Sequence, residues 1–132
     1  MFVTNLRDRY LQELTMNYVC YEMDEDPEAV LNWYERLQYK LYKKFEPKLN
    51  PDFHEKFNDV VYWWLELNDE AIAVREIGFD SNGESIVAGP FEENKGVFTY
   101  SEQKIRGFYP VEMYQFVDQW EQFSEKQQLQ KT

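Results

Sequence analysis

The sequence predicts an α+β fold, with helices in the N-terminal half, a central antiparallel β-meander of about four strands and a C-terminal helix. Two patterns lead to this prediction. Apolar residues recur every three to four positions over 5–46 and again after Pro110, which is the spacing of amphipathic helices. Between these regions, short runs rich in β-branched and aromatic residues alternate with turn residues, as in antiparallel strands. A length of 132 residues fits one domain over 1–132, with a polar tail at about 127–132 that is expected to fray.

Two helices are predicted in the N-terminal half. The first covers 5–20, where apolar residues recur at a spacing of four opposite charged and amide side chains. The second begins at Asp26 and Pro27, a good N-cap followed by a good first helical residue. It ends near Glu46, because Pro47 disfavours helical geometry in the residue before it. Its outward face is basic, with Arg36, Lys40, Lys43 and Lys44.

A short helix over 51–59 is predicted to precede the meander, since Asn50-Pro51-Asp52 has the residues of a helix start. The run 60–67 fits either an extension of that helix or a strand, and strand is the prediction because a meander follows. Residues 71–79 show the two-residue alternation of a strand, and the hairpin turn Asp80-Ser81-Asn82-Gly83 ends this run. The remaining predicted elements are strands at 85–88 and 97–100 and a helix over about 110–125.

The chain is strongly acidic: it has 25 Asp and Glu against 14 Lys and Arg, a formal net charge of −11. This charge disfavours binding to nucleic-acid phosphates or to an anionic membrane surface, and it favours a cationic protein as the partner. The negative charge concentrates in 24–30, with a net −4, and in 50–70, with a net −5. These segments lie on either side of 31–49, which has a net +3. Solubility alone is the alternative explanation of the charge.

No motif in the sequence specifies a reaction, a cofactor or a metal site. Cys20 is the single cysteine and His54 the single histidine, and no HExxH, paired CxxC, G-x-S-x-G or phosphate-binding glycine loop occurs. A nucleophilic pair of Cys20 and His54 stays open, although no signature surrounds either residue. Two groupings, 24–28 and 80–84, have residue types that bind a hard cation, but a hairpin turn explains the second. The sequence therefore predicts a non-enzyme without cofactor or metal.

The sequence also favours a cytoplasmic protein. The N-terminal residues lack the basic start and apolar run of a signal peptide, and no stretch approaches the roughly 20 apolar residues that span a bilayer. The lone Cys20 forms no disulfide within the chain, so the cysteine count gives no sign of a secreted scaffold.

The central region joins acidic and aromatic residues in one hairpin. It has the sequence WLELNDE at 64–70 and VREIGFDSNGE at 74–84. In an acidic chain rich in aromatic residues, this region resembles the strand–hairpin core of small acidic bacterial immunity proteins, which inhibit a cognate toxin domain. The resemblance implies a non-catalytic, single-domain inhibitor that binds a basic toxin domain.

The same resemblance implies which residues contact the partner. Acidic side chains would take the place of phosphates: Asp24, Glu25, Asp26, Asp69 and Glu70. Trp63 is expected as an exposed aromatic anchor, because Tyr62-Trp63-Trp64 places aromatic rings on both faces of one strand. Two alternatives stay open: a general interaction or regulatory subunit that binds a basic protein, and an enzyme that uses carboxylates in an aromatic cleft.

Overall fold

The computed structural model describes residues 16–22, 48–101 and 109–131, which form an antiparallel sheet with helices packed against it. In chain order the elements are β1 (Asn17–Glu22), a 3₁₀ helix (His54–Asp59), β2 (Tyr62–Leu67), β3 (Ala73–Phe79), β4 (Ser85–Gly89), α1 (Phe98–Ser101), β5 (Tyr109–Pro110) and α2 (Met113–Lys131). The strand order across the sheet is β4-β3-β2-β1-β5, and all neighbours are antiparallel. The predicted α+β class is confirmed.

Among the described residues the sheet has five strands, so the prediction of about four was wrong, and its first strand lies where a helix was predicted. β1 pairs with β2 along its whole length. The apolar pattern that suggested a helix over 5–20 also fits a strand here, because Tyr18 and Cys20 lie on one face while Val19 and Tyr21 lie on the other. The rest of that predicted helix, and the helix predicted between 26 and 46, lie outside the described residues.

The strand predicted at 97–100 was also wrong, because Phe98–Ser101 is a helical turn. The Glu76 carboxylate accepts the backbone N–H groups of Val97 and Thr99, each at 2.9 Å. These are N–H groups that the start of a helix leaves without a partner in the helix itself. A side chain from β3 therefore stabilises a helical turn where the local sequence favours a strand.

The other predicted elements are present, with shifted bounds. The ambiguous run 60–67 is a strand, as predicted, over Tyr62–Leu67. The short helix predicted over 51–59 is a 3₁₀ helix, and the C-terminal helix begins at Met113. That helix continues to Lys131, beyond the predicted end near residue 125. Two contacts hold its last turns: Lys126 donates to the Ser85 carbonyl, and Lys131 pairs with Glu92.

β2 and β3 are buried on both faces of the sheet. Residues that pair directly across antiparallel strands have side chains on the same face, so the register defines a front face and a back face. The 3₁₀ helix and α1 cover the front face, which carries Trp63, Leu65, Glu76, Gly78 and Val87. α2 covers the back face, which carries Tyr18, Glu66, Arg75, Ile77 and Ala88. This burial on both sides explains why apolar and polar residues do not simply alternate in the run 60–67.

The core continues around the β4 edge of the sheet. The Phe123 ring of α2 lies 5.4 Å from the Phe53 ring and 5.3 Å from the Phe91 ring, measured between centroids. Phe53 precedes the 3₁₀ helix and Phe91 follows β4, so these contacts join both layers beside the edge strand. All β4 residues except Ile86 are buried. The residues of this edge strand are therefore mostly buried against other parts of the chain.

An ion pair lies on the back face under α2. The Arg75 guanidinium donates two hydrogen bonds of 2.7 Å to the Glu66 carboxylate, and the Tyr18 hydroxyl donates a third of 2.7 Å. The guanidinium lies 5.2 Å from the Phe116 ring and 5.1 Å from the Trp120 ring, which are cation–π contacts. Burial alone lowers the pKa of Arg75, but hydrogen bonding and attraction from Glu66 outweigh it and raise this pKa. The pair therefore ties β2 and β3 to α2.

The turn before α1 packs directly on the front face. A Cβ on Gly89 would lie 2.6 Å from the Gly96 Cα atom, and a Cβ on Gly96 would lie 2.6 Å from Glu76 Oε1. Gly96 also has a φ of +88°, which residues with a Cβ rarely adopt. The Asn50 side chain accepts the Gly96 N–H at 2.8 Å and donates to the Gly96 carbonyl at 3.3 Å. Two glycines and one buried amide thus fix the segment that leads into α1.

Replacing Gly96 with alanine is expected to destabilise the fold by about 2–4 kcal/mol, because the new Cβ meets Glu76 and the backbone stays left-handed. Gly83→Ala is the matched control. Gly83 also has a positive φ, of +78°, but a Cβ there has only the Tyr62 hydroxyl nearby, at 3.7 Å. We expect the control to cost about 1–2 kcal/mol. Urea denaturation measures both variants, and equal losses would contradict the role of close packing at Gly96.

Replacing Arg75 with methionine is expected to cost about 2–4 kcal/mol, because the Glu66 side chain, only 7% exposed, loses its cation. Lys131→Met is the control, since it breaks a surface pair with Glu92 whose side chains are 56% and 44% exposed. Surface pairs of this kind contribute about 0–1 kcal/mol. The free energies of unfolding from chemical denaturation give the comparison. Similar small losses in both variants would mean that the back-face pair contributes no more than a surface pair.

Candidate functional site

The β2–β3 hairpin places Asp69 and Glu70 at an exposed tip. Asn68 organises the turn, because its Oδ1 atom accepts the N–H of Glu70 at 2.9 Å and the N–H of Ile72 at 3.1 Å. Ala71 completes the turn with a φ of +63°. Two carboxylates predicted to contact a partner are thus adjacent on a hydrogen-bonded turn. The other predicted charge contacts lie outside the described residues: Asp24, Glu25 and Asp26.

Trp63 does not lie at the surface, so the prediction of an exposed anchor was wrong. The residue is 3% exposed. Its ring lies 6.0 Å from the Phe57 ring and 5.4 Å from the Phe98 ring, measured between centroids. Phe57 belongs to the 3₁₀ helix and Phe98 to α1, the two elements that cover the front face. The pattern of one strand cannot reveal such a cover, because the residues that form it are distant in sequence.

Exposed aromatic side chains lie instead next to the β5 edge of the sheet. Tyr109 is 67% exposed and Tyr114 is 68% exposed. Between them in the chain, Pro110, Val111 and Met113 form one wall of an open surface cavity of about 460 Å³, and residues 16–19 at the start of β1 form the other wall. The sequence analysis did not select either tyrosine. For Tyr114 the sequence did contain a sign of exposure: helical spacing places it on the solvent side of α2, away from the stripe of buried side chains on that helix.

In the Asp80–Glu84 turn, the Asp80 carboxylate accepts hydrogen bonds from the backbone of the turn itself. Asp80 Oδ1 accepts the N–H of Asn82 at 2.9 Å and the N–H of Glu84 at 3.0 Å, and Gly83 has the positive φ that the turn needs. This geometry confirms the hairpin-turn interpretation of 80–84. Within residues 16–22, 48–101 and 109–131, no three His, Cys, Asp or Glu side chains lie close enough together to hold a metal ion.

Cys20 and His54 lie on elements at opposite faces of the sheet. Cys20 pairs with Trp64, which puts the thiol on the back face, whereas the 3₁₀ helix that contains His54 covers the front face. Burial and then the charge of Glu22 raise the pKa of the Cys20 thiol, and a hydrogen bond from Trp64 acts in the opposite direction. A thiol with a raised pKa forms less of the reactive thiolate at neutral pH. The sheet therefore separates the two members of the nucleophilic pair left open by the sequence.

Glu76 is a buried carboxyl group in the front-face core, with 1% exposure. Burial raises its pKa to about 7, while the backbone N–H donors of Thr99 and Val97 act in the opposite direction. A carboxyl group that titrates near neutral pH is also found among catalytic acids and bases. Here α1 and the turn before it enclose the group, and it accepts hydrogen bonds from the backbone of Val97, Phe98 and Thr99 and from the Thr99 hydroxyl. In this conformation the carboxyl group serves the fold and has no open access for a substrate.

The exposed charge of the described residues is mostly negative. These residues include sixteen of the 25 Asp and Glu but only six of the 14 Lys and Arg. Thirteen of these carboxylates are exposed, against five exposed lysines. Two of the lysines have partners already, since Lys126 binds Ser85 and Lys131 binds Glu92. The described part of the surface therefore has a negative net charge.

In the part of the chain that the structure describes, no helix is both long enough and apolar enough to cross a bilayer. The candidate binding residues are Asp69 and Glu70 at the acidic tip and the exposed Tyr109 and Tyr114 beside a cavity, on a described surface that has more exposed carboxylates than exposed lysines. Compared with protein-family models, with curated proteins and with solved structures, the chain matches none.

Proposed function

We propose that the chain is a non-catalytic, acidic protein-binding domain that acts in the cytoplasm as the immunity protein of a bacterial toxin. The observation that carries this proposal is the surplus of exposed carboxylates, thirteen against five lysines in the described residues. A surface of one sign attracts a partner of the opposite sign and raises its association rate by about 10–10³-fold at low salt. A basic toxin domain is the partner that fits this surface, and direct contact with it would inhibit it.

The hairpin tip supports the proposal because it presents two charges in a fixed arrangement. Asp69 and Glu70 are exposed, and the side chain of Asn68 holds the backbone of their turn. A preorganised charge loses less conformational entropy on binding than one on a flexible chain. We therefore assign Asp69 and Glu70 as charge contacts for the basic partner.

The aromatic anchors of this proposal are Tyr109 and Tyr114, which replace Trp63 in that role. Tyrosine is enriched at the centres of protein interfaces because it offers a large apolar area together with a polar tip. Both side chains are about two-thirds exposed, and residues adjacent to them in the chain line the 460 Å³ cavity. The cavity provides a recess for a side chain of the partner.

The identity of the partner distinguishes an immunity protein from a general regulatory subunit with the same acidic surface. An immunity protein forms a complex with the toxin encoded by the neighbouring gene, and the toxin is inactive in that complex. Calorimetric titration of the two purified proteins, followed by an assay of the toxin, tests both statements. If the two proteins do not bind, the toxin-specific function is overturned.

Reversing the charge at the hairpin tip, with Asp69→Lys and Glu70→Lys, is expected to slow association with the basic toxin by about tenfold or more at low salt. The reason is loss of attraction, so the effect should shrink as ionic strength rises. Stopped-flow kinetics at two salt concentrations provides the measurement.

The matched control for this change is Asp59→Lys with Glu84→Lys, which alters the net charge by the same amount. Both residues are exposed, and they precede β2 and β4, at the end of the sheet opposite the hairpin tip. We expect a clearly smaller change in association rate for this variant. Equal slowing in both variants would remove the special role of Asp69 and Glu70 and leave only the net charge.

Replacing Tyr109 and Tyr114 with alanine is expected to weaken toxin binding by about 2 kcal/mol or more, mainly through faster dissociation. Their exposure means that the free energy of unfolding should change by less than about 0.5 kcal/mol. Tyr100→Ala is the control, since Tyr100 is 54% exposed but lies on α1. Surface plasmon resonance measures the dissociation rates. Unchanged dissociation in the double variant would contradict the assignment of the two anchors.

A further inference from the structure

Tyr109 belongs to a row of residues that crosses the back face of the sheet. It pairs with Cys20 of β1, and Cys20 pairs with Trp64 of β2. Side chains that pair directly across antiparallel strands lie on the same face, so all three share the back face. Tyr109 is 67% exposed, and both Cys20 and Trp64 are half-buried. Two aromatic residues therefore lie on either side of a small thiol, on a part of the back face that solvent reaches.

This row leaves a space above Cys20 that is wide enough for a flat group. Adjacent strands lie about 4.8 Å apart, so the backbones at Tyr109 and Trp64, two strands from each other, are separated by about 9–10 Å. A flat group in van der Waals contact with a ring on each side needs about 7–8 Å between the two rings. The cysteine side chain between them is short and fills little of this space. The space therefore has aromatic walls and a thiol floor.

Glu22 supplies a negative charge at one end of this space. It follows Cys20 by two residues in β1, so its side chain lies on the same face, about 7 Å along the strand. The flexible glutamate side chain can bring its carboxylate back toward Cys20. Glu22 is exposed, and no Lys or Arg of the described ranges forms an ion pair with it. The carboxylate is therefore available to a cation from another molecule.

Tyr62 extends the aromatic surface next to Glu22. The two residues pair directly across β1 and β2, so they too share the back face. One face of the half-buried Tyr62 ring stacks on Phe79 of β3, with centroids 4.8 Å apart and planes inclined by 12°. Because β2 lies between β3 and β1, the opposite face of this ring is turned toward β1 and Glu22. A carboxylate and three aromatic residues thus adjoin one another at this end of the back face.

Aromatic rings together with a carboxylate are the combination that binds a guanidinium group, and the chain already uses it once on this face. The Arg75 guanidinium donates two hydrogen bonds of 2.7 Å to Glu66. It also lies 5.2 Å from the Phe116 ring and 5.1 Å from the Trp120 ring. A planar guanidinium can stack on rings and donate from its edge at the same time, whereas the compact ammonium of lysine cannot. A flat space with an acid at its end therefore favours arginine.

We propose that this space is an arginine slot, formed by Cys20, Glu22, Tyr62, Trp64 and Tyr109, that binds an arginine side chain of the basic partner. The guanidinium stacks between Tyr109 and Trp64, above Cys20, and donates hydrogen bonds to the Glu22 carboxylate. The inference rests on the proposed function in one respect, that the partner is a basic protein. It gives Tyr109 a defined contact and extends the binding surface from the β5 edge across β1 to β2.

The first test uses short peptides and NMR spectroscopy of the full chain, so it does not require the toxin. The probe is a blocked tripeptide with arginine between two glycines, and the comparison peptides have lysine or citrulline, which is planar but uncharged. We expect the arginine peptide to shift the indole N–H signal of Trp64 saturably and to leave that of Trp63, which is buried on the front face. Its Kd should be at least about threefold lower than those of the other two peptides. No saturable shift at Trp64, or equal binding of either comparison peptide, overturns the proposal.

Two pairs of variants test whether the peptide occupies the slot. Glu22→Gln should weaken binding of the arginine peptide by about three- to tenfold, because a neutral amide replaces the carboxylate. Glu55→Gln is its control, since it changes the net charge equally at an exposed residue of the 3₁₀ helix on the front face. Cys20→Leu should block the slot by filling its floor, whereas Cys20→Ser keeps it open. Equal effects within either pair would contradict the slot, and the glutamate pair decides if Cys20→Leu does not fold.

The toxin complex separates this inference from the proposed function. In that complex, Glu22→Gln should speed dissociation of the toxin by about three- to tenfold relative to Glu55→Gln. If the toxin binds but both variants release it at the same rate, the slot is overturned and the proposed function stands. If the arginine peptide occupies the slot but the toxin does not bind, the slot stands and the toxin-specific function is overturned.

Discussion

The burial of β2 and β3 on both faces is the constraint on which the rest of the described structure depends. Each strand has a glutamate that is covered by a helix, with Glu66 on the back face and Glu76 on the front face. Both side chains are almost fully buried, so each needs partners within the chain. The guanidinium of Arg75, covered by α2, meets Glu66, and the backbone N–H groups at the start of α1 meet Glu76. Buried carboxylates therefore help to place both α-helices against the sheet.

The parts of the fold that could be predicted from the sequence are those with local signals. The 80–84 turn follows from its own Asp, Asn and Gly, and α2 follows from an apolar stripe within a single helix. β1 and α1 could not be predicted, because their conformations depend on distant residues. β1 becomes a strand by pairing with β2, forty to fifty residues later, and α1 becomes helical because a side chain from β3 accepts its first N–H groups. Local propensity decides an element only where tertiary contacts do not compete with it.

The candidate site likewise has a part that could be predicted from the sequence and a part that could not. Exposure of Asp69 and Glu70 could be predicted, because charged residues in a short turn between two strands have no core to enter. The aromatic anchor could not be predicted, because twenty-four aromatic residues compete for one core and a pattern does not tell which of them remain outside. Trp63 is covered by residues from two other elements, whereas Tyr109 and Tyr114 remain exposed near an edge strand of two residues. Whether an aromatic side chain is buried therefore depends on how the sheet and the helices pack together.

The size of the negative charge supports the proposed binding function more than it supports solubility alone. A net charge of magnitude about 2–8 keeps a small domain soluble, whereas this chain has −11. Such an excess is unfavourable for the compact state, because like charges on its surface repel one another. At physiological ionic strength, salt screens this repulsion mainly beyond about 8 Å. Neighbouring carboxylates such as Asp69 and Glu70 therefore still repel each other. In the proposed complex, a cationic partner would relieve this repulsion, and the free energy released would contribute to affinity.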